Sequence, residues 1–161
     1  RVTIDGTPWL ADVGVGGLSP TGPLRLDTES EQATPHEPRR VIREDGRWFH
    51  QALLRDEDGA RWHDVCEFTG EVMPPIDREV ANWYTSMHPR SHFRDRLLVA
   101  LAGEDGARHT ILNDAWTMRR RDGTAERRTI GGPAELLEIL DAVFGLRLPA
   151  GTRFACAALP W

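Results

Sequence analysis

At 161 residues, 40% hydrophobic and 28% charged, the chain has material for one ordinary core, or for a small domain plus part of another. A net charge of -5, with all 20 basic residues arginine, gives no electrostatic reason to expect nucleic acid. No apolar run approaches a membrane-spanning length and nothing resembles a signal peptide. The two cysteines, Cys66 and Cys156, fit a reducing, cytoplasmic setting and suit neither a disulfide framework nor metal-ligand spacing.

The chain opens on an alternating, β-branched run, Arg1-Val2-Thr3-Ile4, followed by Asp5-Gly6 and a second arm from Thr7 to Val13. Two such arms around Asp-Gly predict a hairpin with a type I′ turn. The first arm is the shorter, so Arg1 reads as mid-strand and further sequence is expected upstream. On the second arm Leu10 and Asp12 share a face, which puts Asp12 at a solvated strand end or in a buried pair. The segment Asp12-Val13-Gly14-Val15-Gly16-Gly17 closes this arm. A carboxylate before such glycines is either a turn aspartate bonded to nearby amides or the orienting member of a Cys-His-Asp triad. In the second case the glycines let a ligand approach the backbone closely.

Residues 27–38 are acidic, polar and proline-containing, and read as a surface loop. Residues 41–43, 48–54 and 61–69 fit an antiparallel meander turning at 45–46 and 58–59. On its last strand Trp62, Asp64, Cys66 and Phe68 are expected on one face and His63 on the other. That keeps His63 away from Cys66 and makes Cys66 a buried small hydrophobe.

Pro74-Pro75 ends the β pattern. Ile76, Val80, Trp83, Tyr84 and Met87 then recur at helical spacing until His88-Pro89, with Trp83 and Tyr84 read as core packing. Strands follow at 97–102, 109–112, 115–120 and 126–130. Arg119, Arg120, Arg121, Arg127 and Arg128 suit a solvated hairpin face, or an attraction for phosphates. Pro133 opens a second helix with Leu136, Leu137, Leu140, Val143 and Phe144 on one face and Gly145 as its cap. The fold class expected is α+β: an antiparallel β-barrel portion over residues 1–75 and a small α/β lid over residues 76–161.

Trp9-Leu10-Ala11-Asp12-Val13-Gly14-Val15-Gly16-Gly17 with Pro23-Leu24, then Asn82-Trp83-Tyr84-Thr85-Ser86-Met87-His88-Pro89 with Ser91 and Phe93, resemble the arylamine N-acetyltransferase family. So do the segment 127–130, the helix 135–144 and the closing Phe144-Gly145-Leu146-x-Leu148-Pro149. The resemblance runs nearly the length of the chain in the right order. It implies a three-part, cysteine-protease-like acyltransferase fold that is N-terminally incomplete here. Family members carry acetyl from acetyl-CoA, a co-substrate and not a permanently bound cofactor, to a small arylamine or hydrazine through an acyl-cysteine.

Asp12 matches the triad aspartate, with the family's histidine and its R-G-G-x-C cysteine expected upstream of Arg1. Val13, Gly14, Val15, Gly16 and Gly17 match the cleft wall. Cys66 stands where the family often has a tyrosine near that aspartate, so it is expected in the layer behind it. Without a nucleophile, the 161 residues alone are expected to be inactive. Val15 replaces a usual phenylalanine, removing an aromatic surface from the acceptor side. It points as well to the related amide synthases that close macrolactams on polyketide chains. A non-catalytic remnant is the third reading. The partners implied are an amine acceptor and an acyl-CoA, with neither nucleic acid nor membrane.

Overall fold

Asp5 and Gly6 both take positive φ (49° and 78°), as do Asp45 and Gly46 (47° and 79°). These are the torsions that let a two-residue turn follow the twist of its strands. In the computed structural model, which describes residues 1–161, the first turn joins β1 (Val2–Ile4) to β2 (Thr7–Leu10). The second joins β4 (Arg39–Glu44) to β5 (Arg47–Asp56). A two-residue strand, β3 (Leu24–Arg25), pairs Arg25 with Trp9 and Leu24 with Leu10. β6 (Gly59–Phe68) completes a second three-stranded antiparallel sheet, β4-β5-β6.

The two sheets remain separate and no closed barrel forms, which corrects the barrel expectation. Strand β2 also ends at Leu10, earlier than expected, so Asp12 lies beyond the strand.

After these come α1 (Pro75–Met87), a single turn α2 (His92–Asp95), and β7 (Leu98–Ala102), β8 (Arg108–Leu112), β9 (Ala115–Arg119) and β10 (Ala125–Thr129). The four strands form one sheet in the order β10-β9-β8-β7, and α3 (Pro133–Ala142) follows. Contacts group the chain into two compact units. One holds Arg1–Glu71 with Ala102–Ala107 and Arg119–Ala125. The other holds Val72–Leu101, Arg108–Met118 and Glu126–Trp161.

In the first unit Leu10, Leu24, Leu26 and Val41 are buried together, with Trp48 and Phe68 against them. Those two rings are cross-strand partners and lie parallel, centroids 6.2 Å apart. The opposite face of β4-β5-β6 is polar and ordered: Arg40 Nε donates to Gln51 Oε1 (2.7 Å), and Gln51 Nε2 donates to Asp64 Oδ1 (2.8 Å).

The second unit's core is Ile111, Ile130, Leu136, Ile139, Leu140 and Phe144. Helix α3 starts at Pro133, whose missing N–H would be unbonded there anyway, and Glu135 Oε2 accepts from the Gly131 amide (2.6 Å). It ends where Gly145, at φ 66°, turns the chain so that Leu146 N donates to Leu140 O (2.8 Å). Helix α1 departs from expectation. It buries no residue, and Trp83 and Tyr84 are exposed rather than packed in a core.

Candidate active-site region

The segment leaving β2 is short of side chains and turns tightly. Asp12 Oδ1 accepts from Gly14 N (2.8 Å), so the carboxylate braces its own turn. Gly16 takes φ 88°, and Ser19 N donates to Gly16 O (2.9 Å). Val13 is almost fully exposed, Gly14 and Gly16 are exposed, and Asp12, Val15 and Gly17 are half-buried. The result is a bare backbone ridge with one carboxylate at its start.

Behind Asp12 lies a polar group on the inner face of β4-β5-β6, where the neighbours Val41 and Ala52 are fully buried. Arg39 and His50 are also fully buried there. Arg39 Nη1 lies 2.8 Å from His50 Nε2, and His50 Nδ1 lies 3.8 Å from Cys66 Sγ. The other end of the guanidinium, Nη2, forms a close ion pair with Glu37 and reaches Ser19 O at 3.5 Å.

A β-bulge brings the thiol into this group. The pairing runs His50↔Cys66 and then Gln51↔Asp64, so Val65 is the extra residue on β6. The bulge puts Cys66 and Phe68 on the opposite face from Trp62 and Asp64, which corrects the single-face expectation. It also returns His63, opposite Ala52, to the side of Cys66. The imidazole that meets the thiol is nevertheless His50, which sequence reasoning passed over. His50 could have been found by its place in the alternation Trp48, His50, Ala52, a polar residue at a core register. The bulge had no such signal.

The hydrogen-bond polarity decides what this group can do. A guanidinium only donates, so His50 Nε2 must be the acceptor, and the ring's one proton sits on Nδ1 facing sulfur. A working Cys-His pair needs the reverse, a lone pair toward the thiol and a carboxylate at the far nitrogen. Burial first, and then the Arg39 charge, hold His50 down to about 4, against upward pulls from Asp12 and Glu37. Burial pushes the Cys66 thiol up, Asp12 adds to that, and Arg39 opposes it. Cys66 is therefore a poor nucleophile beside an imidazole that cannot take its proton. Cys156 is spent otherwise, its Sγ donating to Asp95 O (3.1 Å).

Strands ending at a glycine ridge, followed by a small sheet and helix, make a mixed α/β fold that known proteins share. The family model for N-acetyltransferases matches residues 1–153. An arylamine N-acetyltransferase of Mycobacterium tuberculosis is 39% identical over 141 residues, 87% of this chain and 47% of that protein. An arylamine N-acetyltransferase / N-hydroxyarylamine O-acetyltransferase of Salmonella typhimurium is 31% identical over 145 residues, 90% of this chain and 50% of that protein. The solved arylamine N-acetyltransferase of Mycobacterium marinum, in complex with CoA, superposes with a TM-score of 0.76 at 36% identity, covering 86% of this chain and 49% of that one. The chain belongs to the arylamine N-acetyltransferase family. It spans about half the length of the relatives it matches.

Proposed function

We propose that this chain is the portion of an acetyl-CoA-dependent arylamine or hydrazine N-acetyltransferase that carries the triad aspartate and part of the acceptor cleft. The observation that carries this reading is the family match over residues 1–153, and the Asp12 carboxylate that heads a glycine ridge supports it. One oxygen of Asp12 braces the turn through Gly14, which leaves Oδ2 to accept from the N–H of a histidine supplied outside these residues. That fixes the tautomer whose other nitrogen takes a thiol proton.

The thiolate then attacks the thioester carbonyl of acetyl-CoA. The bond to the CoA sulfur breaks, and that sulfur leaves with the imidazolium proton. An amine attacks the acyl-cysteine, the amide forms, and its proton returns through the imidazole to the cysteine. Val13, Gly14, Val15, Gly16 and Gly17 contribute backbone and small side chains to the acceptor side. Cys66 belongs to the layer behind Asp12.

The 161 residues alone should transfer no acetyl group, since neither of their thiols has a base. The test is to express the reading frame extended upstream of Arg1, provided it encodes R-G-G-x-C and a histidine on the incoming strand. Asp12→Asn should then lower acetyl transfer by on the order of 10⁴-fold with an unchanged circular dichroism spectrum. An upstream frame without those residues, or an Asp12→Asn enzyme of full activity, overturns the reading. Val15 supports a second reading, a macrolactam-forming amide synthase. That reading requires the extended protein to take acyl groups from a carrier protein and to ignore acetyl-CoA.

A further inference from the structure

We propose that Arg39, bridged across the sheet by His50, is the positioning residue for the loop that runs from Asp12 to Ser19. The proposal deepens the function proposed above and rests on it for its catalytic consequence, but its structural part can be tested without activity.

Three observations support it. First, Arg39 is the largest of the fully buried side chains, and its guanidinium joins three separate pieces of chain: Ser19 O at the far end of the glycine ridge, the Glu37 carboxylate before β4, and His50 Nε2 on β5. A buried charge is tolerated only when such partners surround it. Second, the ridge has few side chains of its own with which to anchor itself. Gly14 and Gly16 offer no side chains, and Val13 points into solvent. Its local turns, Asp12–Gly14 and Gly16–Ser19, close within the ridge, whereas Arg39 reaches Ser19 from β4. Third, His50 continues the fork across the sheet to Cys66 on β6, so the guanidinium is itself fixed in rotation.

The groups facing His50 are Arg39 on β4, Glu37 ahead of it, Cys66 on β6 and Asp12 from the ridge. With Arg39 donating to Nε2, the ring serves as an acceptor on one side and a donor on the other, with no proton transferred. Glutamine can do the same, since its Oε1 accepts and its Nε2 donates. A bridging role therefore predicts rescue by His50→Gln, whereas an acid-base role predicts its loss. Arg39→Lys keeps the charge but loses the fork.

Two measurements test this. In ¹H–¹⁵N spectra of the 161-residue chain, Arg39→Lys and His50→Leu should shift the amides of Gly14, Gly16, Gly17 and Ser19. His50→Gln should leave them near their original positions, and the resonances of α3 should stay fixed in all three. Ridge amides that ignore Arg39→Lys, or that move as far in His50→Gln as in His50→Leu, overturn the proposal. In the extended enzyme, Arg39→Lys should lower kcat and kcat/KM together by about 10–100-fold, as expected when a catalytic group is misplaced and not when substrate binding is lost. His50→Gln should keep most of the activity and the unaltered pH profile. An active parent, inactive as Asp12→Asn but indifferent to Arg39→Lys, defeats this proposal alone. An inactive parent defeats the function proposed above and leaves the spectra as the judge of this one.

Discussion

His50 shows how a single proton's location sorts one chemistry from another. Its Nε2 faces a guanidinium, its ring is fully buried, and both facts disfavour the charged form. An imidazole at about 4 when folded and 6.5 when unfolded takes its proton first in the unfolded chain. Its contribution to stability is therefore complete above about pH 6.5, declines as pH falls toward about 4, and falls no further below that. The shift sets an upper limit of about 3 kcal/mol, reduced by whatever water reaches the ring. Urea unfolding followed from neutral pH to about pH 4.5 should show a steeper loss in the parent than in His50→Gln, the other titrating groups cancelling in the comparison. Parallel curves would show that His50 carries no such linkage. At this scale the turn braced by Asp12 was legible, because carboxylate and glycines are adjacent in sequence. The Arg39–His50–Cys66 group was not, since its members meet only through strand register and a bulge at Val65.

At the scale of elements, the Asp-Gly pairs and the hydrophobic periods carried most of the legible information. The hairpins at 5–6 and 45–46, the long strands β5 and β6, and helices α1 and α3 follow from local chemistry. Strand β3 does not. Leu24 and Arg25 form a strand only because Leu10 and Trp9 are there to pair with them, and nothing within two residues can signal that. The barrel expectation failed for a related reason: alternation specifies strands, but closure depends on which edges meet. Turn geometry also sets a cost that can be measured. Gly123 takes φ 96°, and a Cβ there would come 2.7 Å from Arg55 O. Gly6 takes φ 78° with nothing within 4 Å. Gly123→Ala thus meets both torsional strain and a backbone clash, Gly6→Ala only the first. The first should lose about 2–4 kcal/mol and the second about 1–2 kcal/mol in chemical denaturation. Equal losses would mean that the 119–125 hairpin moves freely away from Arg55.

For the molecule as a whole, α1 poses the sharpest physical problem. Ile76, Val80, Trp83, Tyr84 and Met87 lie at helical spacing on one stripe, and all are about half exposed or more, with Val72 and Met73 just before them and Phe93 just after. An isolated 13-residue helix is marginal in water, and most helical stability comes from packing an apolar face. A contiguous apolar surface of this kind drives association in a chain that presents it to water. The charge of -5 opposes association at neutral pH, and that opposition fades toward the isoelectric point near 5.7. The 161-residue chain should therefore sediment as a concentration-dependent mixture, more associated near pH 6 than near pH 8. Val80→Glu with Trp83→Glu should shift it toward monomer at both. The substitutions lie on a face that buries nothing, so the second unit's core of Leu136, Ile139 and Leu140 should keep its melting temperature to within a few degrees. A parent that sediments as a monomer at every concentration would show that exposed α1 is tolerated in water. A double variant that associates as strongly as the parent would locate the sticky surface elsewhere on the chain.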